Sequence, residues 1–85
     1  MPSLPKRFVY ILRSTVTGHS YVGLTSDVQM RLAAHNAGQN RSTARARPWE
    51  LVVLVEFQSE APALEFERYL KSGSGWSFAR RHFLG

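Results

Sequence analysis

The 85-residue chain contains no cysteine. That absence excludes disulfides and a disulfide-linked partner, a thiol nucleophile, zinc ribbons and iron–sulfur clusters. No uninterrupted apolar stretch exceeds five residues, far below the roughly 20 that a membrane-spanning helix needs. No membrane association is expected. No apolar segment of signal-peptide length follows Lys6 and Arg7, so the expected location is the cytoplasm. Internal repeats and low-complexity segments are also missing, and the length leaves room for one core and one domain. Acidic residues are scarce: six stand against eleven basic ones, the first 26 positions hold none, and five of the six fall between Glu50 and Glu67. The net charge of +5 makes polyanions natural partners. Nine of the eleven basic residues are arginine, whose planar fork of donors matches phosphate oxygens. A basic surface also serves plain solubility.

Met1 to Pro5 carries two prolines and no periodicity, which predicts a loose arm over residues 1–6 ahead of a single domain at 7–85. Phe8-Val-Tyr-Ile-Leu12 reads as a strand, with Phe8, Tyr10 and Leu12 on one face and Val9 and Ile11 on the other. Turn residues follow, and Tyr21-Val-Gly-Leu24 reads as the returning strand of a hairpin. Pairing in which partner numbers sum to an odd value puts Tyr10 and Tyr21 on one face, opposite or diagonal; an even sum separates them.

Ser26 with Gln29 forms a capping-box pattern, predicting a helix near 27–37 that Gly38 closes. Val28, Arg31, Leu32 and His35 share its inner stripe, with Arg31 and His35 at the rim of the core. Leu51-Val-Val-Leu-Val55 is apolar on both faces, the pattern of a central strand. Ser59 is placed to cap a second helix running to about Ser72, with Ala63, Phe66, Glu67 and Leu70 on its inner stripe. Ser72-Gly-Ser-Gly75 reads as a break before a short final helix over Trp76 to Leu84 with Trp76, Ala79 and Phe83 inward. The order ββαβαα predicts an α+β fold, a small three-stranded sheet with helices packed on it.

Three constellations carry chemistry, each with a plainer reading. Tyr10 and Tyr21 are core aromatics or a paired phenolic site, and Gly23 beside them marks a bulge or lets another group approach. Arg31 and His35, one turn apart, are a surface arginine and a core histidine, or a phosphate clamp. Glu67 on an inner stripe is costly unless partnered. Lys71 at i+4 offers a helix salt bridge; alternatively the carboxylate is a hard oxygen ligand for Mg²⁺ or Mn²⁺, which need only one protein carboxylate besides water and a substrate phosphate. Gly73-Ser-Gly75 is no dinucleotide fingerprint, since Phe78 takes the third glycine position. No nucleophile-elbow or zinc spacing occurs.

Phe8-Val-Tyr10, then Tyr21-Val-Gly23, then Arg31 and His35, then Ala63-Leu64-x-x-Glu67-x-x-Leu70-Lys71, together resemble the GIY-YIG nuclease domain, in its small stand-alone bacterial form, over about residues 7–84. Val9 and Val22 replace the motif isoleucines and Phe8 its first glycine. The resemblance implies a three-stranded antiparallel sheet flanked by helices and a divalent-metal endonuclease acting on nucleic acid. Residue by residue, it implies that Tyr10 and Tyr21 line the site, Arg31 braces the scissile phosphate, His35 assists and Glu67 binds Mg²⁺ or Mn²⁺.

Tyr10 is the favoured base, a role for which its pKa, ordinarily near 10, must be lowered by the metal or Arg31. The reverse assignment to Tyr21 stays open. Gly23, Arg41, Thr43, Arg45, Arg47 and Lys71 are the expected nucleic-acid-contacting positions. The expected substrate is DNA in a structured or single-stranded form, because few residues remain to read bases. The competing readings are an inactive nucleic-acid-binding module and an adaptor for a DNA-processing partner.

Overall fold

A computed structural model describes residues 7–84; the expected arm at 1–6 lies outside them. β1 (Arg7–Ser14), β2 (Ser20–Thr25) and β3 (Trp49–Phe57) form one antiparallel sheet in the order β2-β1-β3. α1 (Val28–Asn36) lies between β2 and β3 in sequence, and α2 (Glu60–Leu70) and α3 (Gly73–Ala79) follow β3. Beyond α3 the chain continues through a wider π-type turn, Arg80–Leu84. The α+β class and the ββαβαα order match the expectation.

The alternation in β1 divides the molecule. Val9 and Ile11 join Val22, Ala63, Leu70 and Ala79 in one core beneath α2 and α3. Tyr10 and Leu12 join Trp49 in the other, against Val28 and Leu32 of α1. Trp76 and Phe83 pack on the first core and Ala79 is buried in it, as the inner stripe of the last helix requires. Gly18 takes a left-handed φ of 77° in the β1–β2 turn, a conformation that favours glycine.

Four boundaries or placements differ from the sequence reading. β3 is an edge strand, and β1 occupies the centre. Apolar residues on both faces do not rank strands, and here a bulge at Val52 separates Val53, opposite Ile11, from Leu51, opposite Leu12. Short α1 leaves Leu51 and Leu54 about 40% and 39% exposed. The cap of α1 is Asp27 rather than Ser26: its carboxylate accepts from the Met30 N–H at 3.0 Å. A full negative charge at the amino end of a helix is the better cap. Gly38 does close that end, at φ 78°.

α2 begins after Ser59, whose side chain makes no capping bond, and ends at Leu70 rather than Ser72. Gly73 and Gly75 are not the break; they belong to α3, which Ser72 caps by accepting from the Gly75 N–H at 3.2 Å. Gly75 is required by proximity, because a Cβ there would collide with the Tyr69 carbonyl and the Leu70 nitrogen. Gly75→Ala is expected to destabilise the domain by about 1–3 kcal/mol through forced separation of α2 and α3, as denaturant unfolding would measure. Gly73→Ala, which meets open space, serves as the comparison and should not destabilise.

Candidate active site

Antiparallel pairing decides the position of the tyrosines. Tyr10 lies opposite Gly23 and Tyr21 opposite Leu12, so partner numbers sum to an odd value and the rings share a face as diagonal neighbours, 6.3 Å between centroids. Gly23 is buried under this arrangement: a Cβ would run into the Tyr10 ring and its hydroxyl. The group that Gly23 admits is thus Tyr10 itself, and the glycine offers no open surface to a nucleic acid.

α1 delivers His35 to the same place. It is not at the rim but 1% exposed, with its ring 4.8 Å from that of Tyr21. Its Nε2 lies 3.1 Å from the Tyr10 hydroxyl, and its Nδ1 lies 2.8 Å from Thr43 Oγ1. The Thr43 hydroxyl donates to the Asn40 carbonyl at 3.3 Å. With its one proton so used, Thr43 Oγ1 accepts from His35 Nδ1–H, which leaves Nε2 as an acceptor for the Tyr10 O–H. The chain of hydrogen bonds thereby assigns a neutral tautomer.

Thr43, expected among the substrate contacts, is itself 1% exposed and orients His35 instead. Its carbonyl accepts from Trp49 Nε1 at 2.9 Å, while the Asn36 side chain donates to the Trp49 carbonyl at 3.2 Å and accepts from its N–H at 2.6 Å. The loop between α1 and β3 is therefore pinned at both ends of the histidine's support. Asn36, Asn40 and Trp49 escape the sequence reading; the polar composition of the loop carries no signal of these bonds, which span three to thirteen residues.

Burial shapes the electrostatics. The Tyr10 phenol is pushed up to about 12, chiefly by burial, then by the neighbouring Tyr21; the Arg31 charge pulls the other way, Glu67 pushes up again, and a side-chain hydrogen bond from Arg31 pulls down. The expected lowering of Tyr10 by its cation is outweighed. His35 is lowered below its ordinary 6.5, by burial first and by Arg31 second. A neutral imidazole next to a protonated phenol is the resulting resting state.

Arg31 is exposed and sits one turn before His35. Both line a cleft of about 380 Å³ with Gln39, Asn40 and Arg41. A second cleft, about 330 Å³, lies between Tyr21 and Val22 of β2 and Leu70 and Lys71 at the end of α2, with Trp76 completing it. Glu67 is one turn before Lys71 and pairs with its Nζ at 3.4 Å, so the helix salt bridge is present. The carboxylate side chain keeps 18% of its surface open, and its charge acts on Tyr10. Tyr21, Arg31 and Glu67 thus act on the Tyr10 phenol and Arg31 on His35, while Glu67 itself, on α2, lines neither cleft. Arg45 and Arg47 are exposed on the loop outside both clefts, with the Arg47 guanidinium folded over Gly38.

A single partly exposed carboxylate suits a hydrated Mg²⁺ or Mn²⁺, which retains most of its waters and takes further oxygens from a phosphate. Among the described residues no group of three or more histidine, aspartate or glutamate side chains gathers to form a fuller cage.

The α+β fold thus carries a tyrosine pair and a helical histidine in mutual contact, an arginine beside the histidine's cleft, and a carboxylate on α2. The chain belongs to the GIY-YIG family: the model described as the GIY-YIG catalytic domain matches residues 6–76. Similar proteins include the structure-specific endonuclease subunit slx1 of Aspergillus terreus, 45% identical over 65 residues, 68% of this chain and 17% of that protein. The corresponding subunit of Chaetomium globosum is 46% identical over 66 residues, 69% of this chain and 20% of that protein. The chain thus spans a fifth or less of the length of these relatives. The solution NMR structure of the UPF0213 protein of Bacillus halodurans superposes with a TM-score of 0.53 at 32% identity, covering 86% of this chain and 80% of that one. The expected family and the expected sheet both stand.

Proposed function

We propose that this domain is a divalent-metal-dependent endonuclease that hydrolyses DNA phosphodiesters at structured or single-stranded positions rather than at a long specific sequence. The observation that carries the reading is the Tyr10–His35 hydrogen bond at 3.1 Å, beside a cleft that Arg31 shares with His35. The names of the slx1 relatives, structure-specific endonuclease subunits, support the substrate class. Among the described residues no helix is long and apolar enough to cross a membrane.

A phenol held near 12 is a poor phenolate base at neutral pH. It can still take a proton as it gives one. Water attacking phosphorus passes a proton to the Tyr10 oxygen while the Tyr10 O–H proton moves to His35 Nε2, leaving imidazolium whose Nδ1–H stays on Thr43. Tyr21, at the diagonal position, orients the water, and the Arg31 guanidinium neutralises charge developing on the phosphoryl oxygens. The bond from phosphorus to the leaving oxygen breaks, and that oxygen is protonated from solvent. Glu67 would hold Mg²⁺ or Mn²⁺, which when bound supplies further charge neutralisation at the phosphate. Arg41, at the mouth of the Arg31 cleft, and the exposed Arg45, Arg47 and Lys71 would carry the backbone of the substrate.

The test is a cleavage panel of single-stranded, continuous duplex, branched DNA and RNA substrates with Mg²⁺, Mn²⁺ or EDTA. Branched or single-stranded DNA should be cut only with metal. Binding without cutting anywhere would leave an inactive binding module; absence of both would favour an adaptor.

The histidine adds a pH prediction. His35 in the fold titrates below its unfolded value of 6.5, so the stabilisation from burying it neutral is present above pH 6.5 and is lost as pH falls through the lower folded value. Both thermal stability and cleavage rate should decline together on the acid side. In His35→Asn the acid-side loss of stability should shrink, as melting curves across pH 5 to 8 would show.

A further inference from the structure

The catalytic tyrosines and His35 lie on the α1 side of the sheet, whereas α2 and α3 cover the Val9 and Ile11 side. There the packing leaves rings outside the core. Phe66 is stacked on Tyr69 at 6.3 Å, Tyr69 meets Phe78 at 6.1 Å, and Phe78 meets His82 at 4.6 Å. Tyr69 and Phe78 remain 40% and 37% exposed, and His82 is exposed. One such ring alone is ordinary on a protein surface; a continuous row of three is not explained by the core. Arg68 neighbours Tyr69 in sequence, and Arg80 and Arg81 lie between Phe78 and His82. None of the three arginines pairs with a carboxylate among the described residues. Arg80 and Arg81 also line a cleft of about 480 Å³ with Ser77 and Leu84.

We infer that Tyr69, Phe78 and His82, flanked in sequence by Arg68, Arg80 and Arg81, form a stacking platform for an unpaired nucleic-acid strand, on the side of the sheet away from Tyr10 and His35. Every base has a flat face that a ring accepts, and the intervening phosphates require cations at short intervals. An apolar helix would instead require a groove without interleaved charge. The inference rests on the reading that the substrate is nucleic acid, and it deepens it: the domain would hold the single-stranded arm of a structured substrate while the Tyr10–His35 site cuts.

Fluorescence anisotropy of a labelled oligothymidine, in EDTA so that nothing is cut, reads the surface directly. Phe78→Ser should weaken binding roughly tenfold, the loss of one stacked base. Arg80→Gln with Arg81→Gln should weaken it by about the same factor and flatten the salt dependence by about 1.4 in log–log slope, the share of two phosphate contacts on a single strand. The arginine pair is fully on the surface, so its result holds even if Phe78→Ser fails to fold. Unchanged affinity and slope in both variants, no binding by the wild type, or binding to phosphatidylglycerol vesicles in preference to oligothymidine would overturn the inference. If the variants weaken binding but the wild type cuts no substrate, this surface stands and the nuclease reading falls. If the wild type cuts while the variants bind as well as it does, the nuclease reading stands and the platform falls.

Discussion

Glu67→Ala is expected to reduce cleavage by about 10³-fold or more, since the charge stabilisation lost with a metal ligand is worth several kcal/mol. Affinity for DNA should change less than twofold, because phosphate attraction is set by the arginines. The fold should hardly notice: among the described residues Glu67 bonds only to Lys71, at 3.4 Å across an exposed lysine, and such pairs contribute about 0–1 kcal/mol. Removing the carboxylate also removes one of the influences that raise the Tyr10 phenol, so any effect through Tyr10 alone would favour activity. A severe loss therefore cannot come from that route. Glu67→Gln keeps the shape and removes the charge, and it should be nearly as inactive. If either variant cuts at more than a tenth of the wild-type rate, the carboxylate has no part in the chemistry and the proposed site is wrong.

Tyr10→Phe is expected to lower the cleavage rate by about 10²–10⁴-fold, the usual contribution of a positioned proton-transfer group. It should also cost about 1–3 kcal/mol of stability, because His35 Nε2 is left as a buried acceptor without a donor. The two losses separate by measurement. Cleavage is assayed well below the melting transition, where even the destabilised variant is folded, and unfolding by denaturant gives the stability term by itself. Tyr21→Phe is the comparison: its ring contacts with Tyr10, His35 and Trp49 survive the change, so its effect on stability should be smaller. Equal catalytic loss in both variants would show that the two phenols share the proton transfer, and a larger loss in Tyr21→Phe would exchange their roles.

The parts of this site that can be read from sequence are those set by local period. Tyr10 and Tyr21 share a face because strand residues alternate and the hairpin register has odd parity. Arg31, His35, Glu67 and Lys71 align because a helix repeats every three to four residues. What escapes depends on the third dimension. Thr43 becomes the orienting partner of His35 only when the α1–β3 loop folds back under Trp49. Polar side chains in a loop look alike until their partners arrive. β3 looks central because both its faces are apolar, yet the central place goes to β1, which fills two cores at once. Gly75 looks like a helix breaker, but its missing side chain is used for contact between helices. The sign of the Tyr10 shift escapes for a related reason. The charges are visible in the sequence, while the burial that outweighs them belongs to the finished fold.

The outer rim of β3 offers nine residues of backbone, Trp49–Phe57, next to no further strand among the described residues. Such a rim invites a second copy to dock edge to edge. Were two copies to pair antiparallel about Val53, Glu50 of each would fall opposite Glu56 of the other, and carboxylates facing one another across strands repel. Two of the few acids in this strongly cationic polypeptide thus stand on the strand where like charges work against stacking into ribbons.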